Sequence, residues 1–129
     1  TKMAKDCDVL ICIIPGGPST HKIVDAEVIE ALGPKGTLIN VSRGSVVDEH
    51  ALIKALQSGK LGWAGLDVFD AEPIVPQALR ELTNTVLLPH VGSGTTETRA
   101  AMGALTVNNL LRHHKDGTVI SAVPECAGL

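Results

Sequence analysis

No apolar run in the sequence approaches the ~18 residues that a membrane-spanning helix needs, and the N-terminal residues do not read as a signal peptide. Basic residues form no stripe. With 11 Lys and Arg scattered among 14 Asp and Glu, and a formal net charge of −3, neither nucleic acid nor an anionic membrane is the expected partner. Cysteine is scarce and odd in number: Cys7, Cys12 and Cys126 lack metal-ligand spacing and read as free thiols of a reducing compartment, so the cytosol is the expected location. Cys7 and Cys12 flank or lie within an apolar run, which assigns them to packing rather than to nucleophilic catalysis. Only two aromatic side chains occur, Trp63 and Phe69, and Trp63 is expected in a core or an interface, not stacked on a cofactor. Internal repeats and low-complexity segments are absent. So is any G-x-G-x-x-G turn ahead of the first predicted strand; Gly92-x-Gly94 opens a helix but lacks the third glycine and reads as loop geometry.

What is present suits one packed domain. The 129 residues are 44% hydrophobic and 19% charged, enough apolar material for a core. Val9 to Ile14 is a continuous apolar run stopped by Pro15-Gly16-Gly17-Pro18, the pattern of a strand buried on both faces. Asp25 can cap a helix carrying Val28, Ile29 and Leu32, ended by Gly33-Pro34. Thr37–Val41 is the second strand. Asp48 can cap a helix with Leu52, Ile53 and Leu56 on one face, ending before Gly59. A third strand runs from Trp63 to Val68, a short helix from Pro76 to Leu82, and a fourth strand over Val86–Leu88. Thr95 or Thr96 opens a last, longer helix with Met102, Leu105, Val107, Leu110 and Leu111 as apolar positions, fading near His113-His114. Strands alternating with helices imply right-handed crossovers and a parallel sheet.

The mouths of three successive strands carry chemistry. Arg43 stands in Ile39-Asn40-Val41-Ser42-Arg43-Gly44, Glu72 in Gly65-Leu66-Asp67-Val68-Phe69-Asp70-Ala71-Glu72-Pro73, and His90 in Leu87-Leu88-Pro89-His90-Val91-Gly92-Ser93. An open α/β sheet holds ligands at these strand ends. Singly, they could be a surface arginine, a turn glutamate and a loop histidine. In this order, with Ser42 and Gly44 beside Arg43 and prolines beside the other two, the joint reading is a site.

These contexts resemble the C-terminal half of the D-isomer-specific 2-hydroxyacid dehydrogenases, especially the glyoxylate/hydroxypyruvate reductase branch, over nearly the whole chain. The Gly16-Gly17-Pro18-Ser19-Thr20-His21 loop and His90-Val91-Gly92-Ser93-Gly94 look most like that branch. The resemblance implies an α/β fold: a Rossmann-like parallel sheet with helices on both faces, here the second half of a dinucleotide-binding domain plus a C-terminal crossover helix. Residues 1–112 would be that part, and 113–129 a tail returning to the substrate domain.

It further implies NAD(P)H-dependent reduction of a small 2-keto acid, glyoxylate or hydroxypyruvate. His90 would be the general acid, Glu72 the carboxylate hydrogen-bonded to its ring, and Arg43 the clamp on the substrate. Imidazole titrates near neutral pH and a carboxylate favours its charged form, while arginine offers a two-pronged fork to a planar carboxylate. Ile14, Pro15, Val41, Ser42, Arg43, Asp67, His90 and Gly92 would contact cofactor, Asp67 at its nicotinamide end, with Thr20 a lesser candidate and His21 solvated. The cofactor would be NADPH or NADH, with NADPH suggested by the branch, because the selecting residues precede the matching segment in the family. No metal is implied. The full-length protein would be a homodimer.

Thr1–Lys5 reads as the end of an element already under way. Residues 1–129 by themselves are therefore expected to leave an apolar sheet edge unpaired, to associate, and to bind NADPH weakly. A receiver-type domain is disfavoured because Ile14-Pro15-Gly16 stands where it needs acidic residues. The rival reading is a dinucleotide-sensing, corepressor-like interaction protein on the same fold.

Overall fold

A computed structural model describes residues 1–126; the last three residues of the predicted tail, 127–129, lie outside the described residues. The described chain resolves into two compact units, Thr1–Gly92 and the residues from Ser93 onward. This division by packing falls ahead of the last helix, whereas the expected division by role falls after residue 112.

In the first unit, a helical turn α1 (Lys2–Lys5) precedes four strands and three helices: β1 (Val9–Cys12), α2 (Ala26–Leu32), β2 (Thr37–Asn40), α3 (Glu49–Gln57), β3 (Trp63–Leu66), α4 (Gln77–Arg80) and β4 (Thr85–Leu87). The strands form one parallel sheet in chain order, β1-β2-β3-β4. The caps act as the sequence indicates. Asp25 accepts from the Val28 amide at 3.0 Å, Asp48 accepts from the Ala51 amide at 3.1 Å, and Gly33 ends α2 with φ +75°, a left-handed angle that glycine adopts freely.

Register explains the core. Leu10, Leu38 and Ala64 lie side by side across the sheet, as do Cys12, Asn40 and Leu66. This face packs with Ile29 and Leu32 of α2, Leu52 and Leu56 of α3, and Leu79 of α4. Strand order that advances one step per crossover, with every crossover right-handed, places successive helices on one face. The opposite face carries Val9, Ile11, Trp63 and Val86, all about half exposed or more. The Val9–Ile14 run is thus apolar on both faces yet buried on one, which corrects the expectation drawn from the run itself. Trp63, expected in a core or an interface, stands 55% exposed on the uncovered face. Cys12 is buried, and desolvation pushes its thiol pKa up, in keeping with a packing role.

In the second unit, α5 (Thr96–Asp116) starts at Thr95, whose hydroxyl accepts from the Thr98 amide at 3.1 Å. It runs past His113-His114 to Gly117, which is left-handed with φ +75°. Three basic residues in the last turn complement the helix dipole. Asn109 accepts from the Ile120 and Ser121 amides at 2.7 and 3.1 Å, holding the following segment against the helix. Met102, Leu105, Val107, Leu110 and Leu111, the predicted apolar positions, are all exposed. Among the described residues, no helix is long and apolar enough to cross a membrane.

Candidate active site

Arg43 is delivered by a turn that Asn40 organises at the end of β2. The Asn40 side chain, 1% exposed, accepts from the Ser42 amide at 3.0 Å and hydroxyl at 2.9 Å, and donates to the Arg43 carbonyl at 2.9 Å. Arg43 Nη1 donates to the Ser42 carbonyl at 2.7 Å, which sets one edge of the guanidinium. A methyl group at Gly16 would stand 2.9 Å from Arg43 Cγ, so the loop after β1 packs directly on the arginine stem.

Gly44 joins this turn to the loop after β3. A Cβ there would overlap the Phe69 carbonyl group and the Asp70 nitrogen. Both are backbone, so no rotamer relieves the clash. Gly44→Ala is expected to destabilise the first unit by ~3 kcal/mol or more and to separate Arg43 from Glu72. Denaturant unfolding of the variant checks this, and a midpoint equal to wild type would contradict the close approach.

Glu72 is held at both carboxylate oxygens. Oε1 accepts from the Phe69 amide at 3.0 Å, and Oε2 lies 2.8 Å from His90 Nδ1. The Glu72-Pro73 peptide is cis. Glu49 at the start of α3 accepts from the Asp70 amide at 3.3 Å and steadies the same loop; burial raises the pKa of this carboxyl. The hydrogen bond with His90, then that from Phe69, holds the Glu72 pKa below the usual carboxylate value, and the charges of His90 and Arg43 act in the same direction. A lowered folded-state value means that the pairing contributes stability above the ordinary glutamate range and loses it as pH falls through the lowered value. An anionic Glu72 can only accept, so Nδ1 carries the ring proton and Nε2 is left for other chemistry. The pair is neither deeply buried nor free, with side chains 46% (His90) and 35% (Glu72) exposed.

His90 has φ +56°. For a side-chain-bearing residue this left-handed conformation costs ~1–2 kcal/mol, and such strain persists where surrounding contacts enforce it. The next two amides, of Val91 and Gly92, donate at 2.7 Å each to Asp67, which is 3% exposed just after β3.

Arg43, Glu72 and His90 line one open cleft of about 960 Å³ at the carboxyl ends of β1 to β4. Ile14, Pro15, Val41 and Ser42, named from the sequence, line it as well. Asp67 and Gly92 do not; they bond to each other behind His90. Thr20 donates to the Pro15 carbonyl at 2.8 Å and braces the loop rather than facing the cleft. Sequence reasoning missed Asn40, Glu49 and Gly16. A polar Asn inside an apolar strand was the available signal for the first. Among the described residues, no three His, Cys, Asp or Glu side chains gather as a metal site.

A parallel α/β sheet with a cation, a carboxylate and an imidazole converging in the cleft at its strand ends defines a nucleotide-binding domain of the dehydrogenase kind. The chain belongs to the D-isomer specific 2-hydroxyacid dehydrogenase family, matching its NAD binding domain over residues 1–92. It is 52% identical over 122 residues to the hydroxyphenylpyruvate reductase of Plectranthus scutellarioides, covering 95% of this chain and 39% of that protein. It is 52% identical over 121 residues to glyoxylate/hydroxypyruvate reductase A of Arabidopsis thaliana, covering 94% and 39%. Among solved structures, the NADPH-dependent glyoxylate/hydroxypyruvate reductase of Sinorhizobium meliloti, in complex with NADP and malonate, superposes with a TM-score of 0.93 at 53% identity, over 96% of this chain and 39% of the other. The chain thus spans about 39% of the length of these relatives.

Proposed function

We propose that the full-length protein reduces a small 2-keto acid, glyoxylate or hydroxypyruvate, to the 2-hydroxy acid, and that Arg43, Glu72 and His90 are its catalytic residues. The observation that carries this reading is the 2.8 Å contact between His90 Nδ1 and Glu72 Oε2 in the cleft that Arg43 also lines. Arg43 binds the substrate carboxylate through its fork and stabilises negative charge growing on the carbonyl oxygen. His90, held through Nδ1, offers Nε2 to that oxygen and delivers the proton. Glu72 keeps the ring oriented and stabilises its charged form.

The nicotinamide end of the cofactor fits this chain. Ile14, Pro15 and Val41 give the cleft an apolar wall for a flat ring, beside the polar Arg43 and His90. When bound, NADPH or NADH supplies the hydride that the carbonyl carbon accepts; NADPH is favoured by the likeness to the S. meliloti reductase, described as NADPH-dependent. Residues 1–112 serve the cofactor and catalysis, and 113–129 lead back to the substrate domain. The working form is a homodimer in the cytosol.

Turnover of the full-length protein with glyoxylate and hydroxypyruvate, using each reduced cofactor, tests the proposal. Oxidation of NADPH dependent on keto acid is expected. Tight cofactor binding with no turnover on either acid would favour the corepressor-like reading instead.

Glu72→Gln separates the roles further. Removing the negative charge beside Nδ1 should move the alkaline limb of the rate profile to lower pH, because the protonated ring loses its anionic partner. A profile superimposable on wild type would argue against the pair.

A further inference from the structure

Two consecutive amides of the loop after β3 meet two different carboxylates. The Phe69 amide donates to Glu72 Oε1 at 3.0 Å, within the loop, and the Asp70 amide donates at 3.3 Å to Glu49 Oε2 at the start of α3. The same Phe69-Asp70 peptide packs against Gly44, the residue next to Arg43. Gly44 and Glu49 belong to one braced segment. Between them, Ser45 accepts from the Lys22 amide at 2.7 Å, Val46 accepts from the Val24 amide at 3.1 Å, and the Asp48 amide donates to the Val24 carbonyl at 2.9 Å. Asp48 then caps α3, and Leu52 and Leu56 bury that helix in the core. Glu49 therefore reaches the loop from a fixed point, and whatever it holds stays in register with Arg43.

We infer that Glu49 is a positioning residue: its side-chain oxygen keys the loop that carries Glu72 to the braced segment that carries Arg43, so that the partner of His90 and the substrate clamp keep their spacing. This rests on the proposed roles of Arg43, Glu72 and His90. The Asp70 carboxylate and the His50 imidazole are the charged groups that act on Glu49, and neither supplies a hydrogen bond in its place. An acid in the first turn of a helix has one other use, the favourable meeting of its charge with the helix dipole. Glutamine separates the two roles. It keeps an acceptor oxygen for the Asp70 amide and loses the charge.

The test compares Glu49→Ala and Glu49→Gln in the full-length protein. Three readouts are taken: kcat and KM for glyoxylate across pH, cofactor Kd by fluorescence titration, and nitrogen NMR of the histidine rings, with His90→Gln to assign the His90 signal. Misplacement of a reacting group by ~1 Å can cost ~100-fold; Glu72 keeps its bond from Phe69, so kcat of the alanine variant should fall by less, roughly 10-fold. Its alkaline limb should move to lower pH, as expected for Glu72→Gln, because the His90 ring spends less time against its carboxylate. Its His90 ring signal should shift, while cofactor Kd stays within about twofold of wild type. Glutamine should restore rate, limb and ring signal. Equal impairment of both variants would assign Glu49 to the helix dipole and overturn the inference, as would an alanine variant with the limb and ring signal of wild type. If wild type reduces no keto acid, the functional proposal fails separately, and the ring signals of the two variants alone decide the role of Glu49. Should Glu49→Ala not fold, Glu49→Asp withdraws the oxygen by one methylene and keeps the charge; it should shift the His90 signal in the same sense, and an unchanged signal would again overturn the claim.

Discussion

Replacing His90 by Ala in the full-length protein is expected to lower turnover by ~10²–10⁴-fold while leaving cofactor affinity nearly intact. Reduction of a carbonyl leaves an oxyanion that must be protonated, and His90 is the cleft residue whose ring is fixed at one nitrogen and open at the other. Alanine keeps the backbone but removes the donor. It also abolishes the hydrogen bond that is the foremost cause of the lowered Glu72 pKa, so the variant should hold that carboxyl nearer its ordinary range. Steady-state rates at saturating cofactor, with a separate binding titration, check both halves. An unchanged rate would remove His90 from the mechanism.

Arg43→Lys is expected to raise KM for the keto acid and lower kcat together. One guanidinium nitrogen is already used on the Ser42 carbonyl at 2.7 Å, which orients the fork and leaves its other donors for substrate. Lysine brings a point charge on a flexible stem and cannot reproduce a planar two-bond contact. Loss of one charge-assisted hydrogen bond, ~1.5–3 kcal/mol, corresponds to a drop of about 10- to 100-fold in kcat/KM. If only cofactor affinity moved, Arg43 would belong to the cofactor and not to the substrate.

The elements were legible because their signals are local. Asp25 and Asp48 announce helix starts by capping chemistry that needs no tertiary context, and both caps form. Strand boundaries were less so. The third strand was expected to reach Val68 but ends at Leu66. Burial of a strand face was not legible at all. Val9 and Ile11 are as apolar as any core residue, yet what covers a face depends on other elements, and here α2 to α4 take only one side.

Within the site, residue type located Arg43, Glu72 and His90, since a cation, a carboxylate and an imidazole at strand ends have few shared structural uses. The sequence named Asp67 as well, whereas geometry located Asn40. The amides that Asp67 meets lie up to 25 residues away, and a sequence does not display which amide a carboxylate will meet. The left-handed angle of His90 is hidden for the same reason.

A crystal structure of the full-length protein with NADP and oxamate, an unreducible analogue of a small keto acid, tests the central claim most directly. The account predicts the oxamate carboxylate paired with the Arg43 guanidinium and the amide carbonyl oxygen within about 2.7–3.2 Å of His90 Nε2, with Nδ1 still on Glu72. Oxamate bound away from Arg43, with His90 Nε2 turned from its carbonyl oxygen, would contradict it.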